Sequence, residues 1–247
     1  MVWINSYNAN AMKYAKMPLI EMLERGEGYS SKYFPKFKGY KDKLEYYRNT
    51  GIDQLCRQVW YHNRPLLIND GNAILSMFDQ KIKIKGLDYG CGSAPIGYEL
   101  LKRGAEMDFV DIDGCSGYEF LKWRVRKNNA GRAGWLLGND YDFVILLDAL
   151  EHILDCDAVM KDIISRMNSK SMIVTNYFIN NDKDNPEHLR MDHSTIQNIL
   201  KQSRFNSYSF IYGEFIYQNC LWGRNVATSF NTDSDDRLLQ PEMQMVP

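Results

Sequence analysis

Five cysteines in 247 residues, odd in number and never paired as Cys-x-x-Cys, leave little basis for a zinc site or a disulfide scaffold. Cys56, Cys91, Cys115, Cys156 and Cys220 are scattered along the chain, as free thiols in a reducing cytoplasm would be. No apolar run approaches the ~20 residues that cross a bilayer. The N-terminus also lacks the charged-then-apolar order of a signal peptide, so no membrane partner is expected. An excess of either charge is missing as well. Thirty Lys and Arg stand against 31 Asp and Glu, a formal net charge of −1, which removes any overall electrostatic reason to hold nucleic acid. Internal repeats and low-complexity tracts are absent. What remains is an ordinary globular composition, 45% hydrophobic and 25% charged, long enough for one large domain or a domain with a helical extension.

The first 80 residues read as helical: Ala11 to Leu23 interrupted by Pro18, Asp53 to Trp60, and Leu66 to Phe78 broken near Asn69-Asp70-Gly71. From Lys83 onward, short apolar runs alternate with helical stretches, the pattern of a parallel βαβ sheet. Strands are expected at Ile84–Tyr89, Met107–Asp111, Ala133–Leu137, Asp142–Leu147 and Ser171–Asn176. A helix over Ser194–Ser203 should precede a closing antiparallel pair, Tyr208–Tyr212 and Cys220–Val226. The division is therefore 1–80 as a helical extension, 81–227 as the main domain and 228–247 as a polar, mobile tail.

Residues 84 to 97 say most about chemistry. A short apolar approach ends in Asp88, the turn Gly90-Cys91-Gly92 follows at once, and a helix-compatible stretch from Ile96 opens beyond Pro95. Strand, glycine turn and helix start let a backbone come close to a ligand. A nicotinamide fingerprint, Gly-x-Gly-x-x-Gly, would place its last glycine at Pro95, which has no amide to offer a pyrophosphate. The Asp88 carboxylate would also repel that group. Asp111 ends the second expected strand roughly twenty residues after the turn, where a ribose diol needs a bidentate acceptor. Asp113 is the weaker candidate because it falls into the following turn.

Acid-x-Gly-x-Gly, here Asp88, Gly90 and Gly92, resembles the first motif of the class I S-adenosylmethionine-dependent methyltransferases, with Ala94 where a third glycine is usual. The resemblance covers about residues 83 to 226. It implies an α/β Rossmann-like fold with a seven-stranded, mostly parallel sheet, helices on both faces and the N-terminal helices as a lid. It also implies S-adenosylmethionine as cofactor. Asp88 then helps receive the methionyl ammonium, directly or through backbone and water, while Gly90 and Gly92 keep the path clear and the amides of the turn, Cys91 among them, and of the helix start offer donors to its carboxylate. Asp111 takes the ribose, Ile112 lies against the adenine, and Asn139 or Asp140 reaches the adenine amino group. Trp135 and Leu136 are adenine candidates or core.

Asp148-Ala149-Leu150-Glu151-His152 resembles the segment after the fourth strand in small-molecule methyltransferases, including those of ubiquinone biosynthesis. Neither an Asn/Asp-Pro-Pro-Tyr/Phe motif nor a Pro-Cys pair is present there, which counts against base methylation. In-line methyl transfer needs an aligned nucleophile and often a deprotonation, so His152, Glu151 and His188 are the candidate bases. His188 lies in Pro186-Glu187-His188-Leu189, similar to a loop that lines the acceptor pocket in such enzymes. A divalent-cation cluster of Asp148, Glu151 and His152 stays open, and no metal is assigned.

The expected function is methyl transfer to an O or N nucleophile of a small molecule. Two alternatives are an RNA or protein acceptor, and a non-catalytic protein that binds the cofactor. The first rests on Ser30 to Arg48, where lysines alternate with Tyr33, Phe34, Phe37 and Tyr40. The favoured reading of that segment is a solvated lid whose aromatics pack on the core. Tyr61-His62-Asn63-Arg64 is polar and dense enough to face the site, but a plain surface turn before Pro65 is the favoured reading. The acceptor's identity and the oligomeric state are not encoded in any motif.

Overall fold

Pro18 cannot sit inside a helix, and the first apolar-periodic stretch divides there into α1 (Val2–Ala15) and α2 (Leu19–Glu27). The computed structural model describes residues 2–39, 41, 43–76, 78, 84–175, 185–189, 193–211 and 218–224. The expected tail, 228–247, and most of the loop before His188 lie outside those residues. Short helices α3 (Tyr29–Tyr33) and α4 (Lys43–Asn49) follow, then α5 (Ile52–His62) and α6 (Pro65–Ser76).

The expected break at Asn69-Asp70-Gly71 does not occur, since α6 runs straight through it. Gly71 serves close packing instead. A Cβ there would lie 2.6 Å from Trp3 Cζ2 and 2.8 Å from Ile96 Cδ1, so α6 could not approach α1 with any larger residue.

β1 (Lys85–Tyr89), β2 (Glu106–Val110), β3 (Ala133–Gly134), β4 (Tyr141–Leu146) and β5 (Met167–Thr175) pair in parallel. α7 (Pro95–Lys102), α8 (Ser116–Asn128) and α9 (Cys156–Ser165) connect them, and α10 (His193–Gln202) leads to β6 (Phe205–Ile211) and β7 (Gln218–Arg224). β7 pairs antiparallel with both β5 and β6, and the sheet order is β3-β2-β1-β4-β5-β7-β6. β3 is shorter than the sequence predicts, and Leu136 lies exposed beyond its end.

Chain direction across the sheet reverses at β1, whose neighbours are β2 and β4. In such sheets the crevice for a ligand opens beyond the carboxyl ends of the strands at that switch point. One core cluster joins Trp3, Ile4, Tyr7 and Leu55 of the N-terminal helices to Tyr98, Phe109 and Phe143 of the sheet layers. The other face of the sheet carries a second cluster, with Val144, Met160, Ile163 and Ile199. The N-terminal helices thus share a core with the sheet and are held over the switch point. Among the described residues, no helix is long and apolar enough to cross a membrane.

Candidate active site

Turn 90–94 leaves β1 under tension that the surrounding structure holds in place. Gly90 and Gly92 have φ of +67° and +51°, and Ala94 sits at +43° in the left-handed region. That backbone explains why a glycine would be natural at position 94. Buried Arg124 supports the turn from beneath, donating to the carbonyls of both Ser93 and Ala94. Its guanidinium also stacks 4.0 Å from the Tyr98 ring centroid, and burial draws its pKa down to about 10. From the lid side, the Tyr7 hydroxyl bonds Ser93 Oγ at 2.8 Å.

Two substitutions separate the turn's constraints. Gly90→Ala would adopt an unfavourable φ and place its Cβ 2.6 Å from that of Ala149. We expect it to cost about 2–4 kcal/mol in urea unfolding. Ala94→Gly relieves a left-handed alanine at some cost in unfolded-state entropy, so it should stay within about 1 kcal/mol of the parent.

Four of the turn's amides are engaged within the protein. Gly90 and Cys91 both donate to Val110 C=O, at 2.8 and 3.2 Å, and Ala94 donates to Cys91 C=O at 2.6 Å. Gly92 N–H donates to Asp111 Oδ2 at 2.5 Å. The motif closes on its own neighbour strand, because the turn's tight path brings these amides onto the end of β2.

Asp88 is buried, its carboxyl lodged against Gly97 at the start of α7. Burial, then the nearby Asp111 charge, raise its pKa well above the usual carboxylate value, and the Gly97 amide only partly opposes them. It therefore orders the turn more than it reaches into the crevice. Asp111 is placed differently. Its two oxygens accept Gly92 N–H and Ile112 N–H, the latter at 2.6 Å, and each keeps further lone-pair capacity. Asp113 is an exposed partner of Lys122.

One cavity of about 930 Å³ holds most of the predicted residues. Asp88, Gly90, Cys91, Gly92, Asp111 and Ile112 line one part; Asp148, Glu151, His152 and His188 line another. Asn139 and Asp140 are not among its described lining residues; the Asn139 carbonyl instead takes the Lys85 ammonium at 2.8 Å. Trp135 packs on Phe109 and Tyr118, as a core residue does.

Glu151, His152 and His188 each bring a ligating atom within 4.8 Å of the others, a grouping that His188 joins in place of Asp148. The two rings meet edge to face at 4.9 Å. Glu151 is fully buried, and neither of its carboxyl oxygens has a hydrogen-bond partner among the described residues. Burial, then the Asp148 charge, push its pKa well up, which keeps it protonated and makes it a poor base. His152 is shifted the other way: burial, then the neighbouring His188, hold its imidazole neutral.

Lid residues complete this half, and sequence reasoning missed most of them. Lys43 donates to His152 C=O, and burial lowers its pKa to about 8. Arg57 pairs with Glu187 at 2.8 Å, and Tyr46 O–H donates to the same carboxylate at 2.5 Å. The basic-aromatic spacing of residues 30 to 48 was the available signal. Its Tyr33, Tyr46 and Tyr47 are buried together with the preceding Tyr29 and with Cys115, with Phe34 and Phe37 packed against them. Tyr40 lies outside the described residues. The expected surface turn at Tyr61-His62-Asn63-Arg64 is also corrected. Tyr61, His62 and Arg64 line the cavity, and burial lowers the His62 pKa to about 4.

A family model described as a methyltransferase domain matches residues 60–218, which reaches into the helical lid. A search of curated protein sequences finds no match. Among solved structures, the chain is similar to a magnesium protoporphyrin IX methyltransferase of Synechocystis PCC 6803 with bound S-adenosylhomocysteine. That pair has a TM-score of 0.60 and 17% identity, covering 74% of this chain and 99% of the other. It is also similar to a putative O-methyltransferase of Nostoc punctiforme PCC 73102, with a TM-score of 0.56, 15% identity and coverage of 87% and 72%. An N-methyltransferase, NodS, of Bradyrhizobium japonicum WM9 gives 0.54, 10% identity and coverage of 67% and 91%. At these identities the likeness speaks for the fold.

Proposed function

The chain belongs to the class I S-adenosylmethionine-dependent methyltransferases, and on that premise we propose that it methylates an O or N nucleophile of a small molecule. The observation that carries this reading is the single cavity with a glycine turn and Asp111 in one part and two imidazoles in the other. Its volume of about 930 Å³ lies at the upper end of the about 300–1,000 Å³ that ligand sites span. The residues present fit the cofactor: Asp111 keeps lone pairs for a diol, and a Cβ at Gly90 would strike Ala149 and crowd the turn.

When bound, S-adenosylmethionine supplies a methyl group made electrophilic by its sulfonium. The chain's own residues do the rest. Asp111 fixes the ribose, and Asp88 holds the glycine turn in shape. The buried lid keeps water from the crevice and aligns the acceptor for in-line attack. His152, neutral and in the acceptor part, takes the acceptor's proton. Glu151 is uncharged and fully buried, so it shapes the wall.

Calorimetric titration with S-adenosylmethionine, with NAD as control, tests the premise; binding of NAD alone would overturn it. A pH profile tests His152. Its lowered pKa leaves it unprotonated through the range where an ordinary imidazole gains charge, near 6.5. Turnover should therefore hold down to pH 6 and fall only in more acid solution. A half-maximal rate near pH 6.5 would assign the base elsewhere.

A further inference from the structure

The corner between α5 and α6 holds two N–H-bearing side chains that no described residue satisfies, His62 and Arg64. Asn63 fixes that corner. Its carboxamide and that of Asn8 bond each other in both directions, at 2.8 and 3.0 Å, and its NH₂ group also donates to Val59 C=O at 2.7 Å. Tyr61, His62 and Arg64 line the cavity, so a corner tied to α1 presents them there. Tyr7 holds the His62 ring edge to face at 5.9 Å, and it bonds Ser93 Oγ, which sets the corner beside the turn that follows β1.

His62 makes no hydrogen bond to another described residue, and neither ring nitrogen is closed off from solvent. Burial, then the Arg124 charge, lower its pKa to about 4, so the neutral ring has one N–H to give. Arg64 is exposed, its guanidinium 5.7 Å from the Trp60 ring centroid. Tyr61 is the common neighbour, with its ring 5.7 Å from that of His62 and 5.8 Å from Arg64 Cζ. Three Lys and Arg side chains line the cavity. Lys43 donates to His152 C=O and Arg57 pairs with Glu187, whereas Arg64 has no carboxylate or carbonyl partner among the described residues. Four amides of the glycine turn are spent on Val110, Cys91 and Asp111, so they give nothing to the anionic end of a ligand.

We propose that this corner is the carboxylate subsite of the cavity, with Arg64 as the paired charge and His62 as a neighbouring N–H donor. This rests on the methyltransferase reading and adds the anchor for an anion within it. A guanidinium fork matches a carboxylate with two parallel bonds, and the carboxylate keeps lone pairs for a third donor. Two ligands of the reaction carry that chemistry: S-adenosylmethionine at its methionyl end, and an acidic acceptor. The Asn8–Asn63 pair and the aromatic contacts hold the corner in place before any ligand arrives, so little freedom is lost on binding.

Calorimetry on the full chain compares S-adenosylmethionine with its decarboxylated form, which keeps the sulfonium and the amine and lacks only the carboxylate. A second pair, benzoate and benzamide, is titrated into the chain with and without S-adenosylhomocysteine. The parent should favour the carboxylate member of one pair by about 10- to 100-fold. Arg64→Gln should bring the affinities of that pair together, and His62→Phe, which keeps the ring contacts, should narrow the gap. A preference lost in the first pair names the cofactor as the source, and one lost in the second names the acceptor. No carboxylate preference in the parent, or one that Arg64→Gln leaves intact, overturns the proposal. Full preference in His62→Phe removes His62 from the subsite. Arg64 is exposed, so its variant should keep the melting temperature of the parent, and a lost preference then reads binding rather than unfolding. Absence of any cofactor binding defeats the methyltransferase reading, and the benzoate pair on the unloaded chain then decides the subsite by itself.

Discussion

Asp111→Ala is expected to weaken S-adenosylmethionine binding by at least about 100-fold, because each hydrogen bond to a charged group is worth about 1.5–3 kcal/mol and two are lost. The carboxylate already accepts Gly92 and Ile112 amides, and it is the acid at the end of β2 that lines the cavity. Its removal also leaves the Gly92 amide without its acceptor, so the turn itself loosens. Asp113→Ala is the control. Asp113 is exposed and paired with Lys122, and its loss should leave affinity unchanged. Calorimetry with both S-adenosylmethionine and S-adenosylhomocysteine makes the comparison. Equal affinity in the Asp111 variant and the parent would remove Asp111 from the site.

The second large effect is structural. Glu187 is 1% exposed and joins three parts of the molecule. It pairs with Arg57 of α5, accepts from Tyr46 of α4, and its backbone carbonyl orients His152. Removing one partner of a buried pair leaves the other charge uncompensated, at about 3–5 kcal/mol. Arg57 keeps a quarter of its side chain exposed, so the lower end applies. Glu187→Ala should therefore lower the melting temperature by roughly 6–12 °C in a chain of this size. Glu187→Gln keeps the shape and the backbone carbonyl, and should come at smaller cost. Thermal unfolding of both variants checks the ranking. An unchanged melting temperature for Glu187→Ala would mean that lid and loop are held by other contacts.

The same hub explains why the lid was hard to read from sequence. Its partners are far apart in the chain, Tyr46 and Arg57 against Glu187. No short motif marks such a pairing, and only the packing of α4 and α5 over the switch point brings it about. The alternation of lysine and aromatic residues in 30–48 has two readings, and burial of Tyr33, Tyr46 and Tyr47 supports the one in which its aromatics pack on the core. At Tyr61-His62-Asn63-Arg64 the favoured reading, a surface turn, gives way to the site-facing one for a related reason. A polar run ahead of a proline looks like a surface turn, yet here it closes one wall of the cavity.

By itself, the sequence determined the local features. Alternating short apolar runs and helical stretches specified the parallel sheet, Pro18 divided the first helices, and Gly90 and Gly92 marked the tight turn after β1. These follow from backbone stereochemistry and hydrophobic periodicity, which act over a few residues. Tertiary structure alone decided the rest. It closed the turn's amides onto Val110 and Asp111, and withdrew Asn139 from the cavity. It also brought His188 beside His152. Burial and hydrogen-bond direction are properties of neighbours distant in the chain, and they decide which acid stays charged and which imidazole can take a proton.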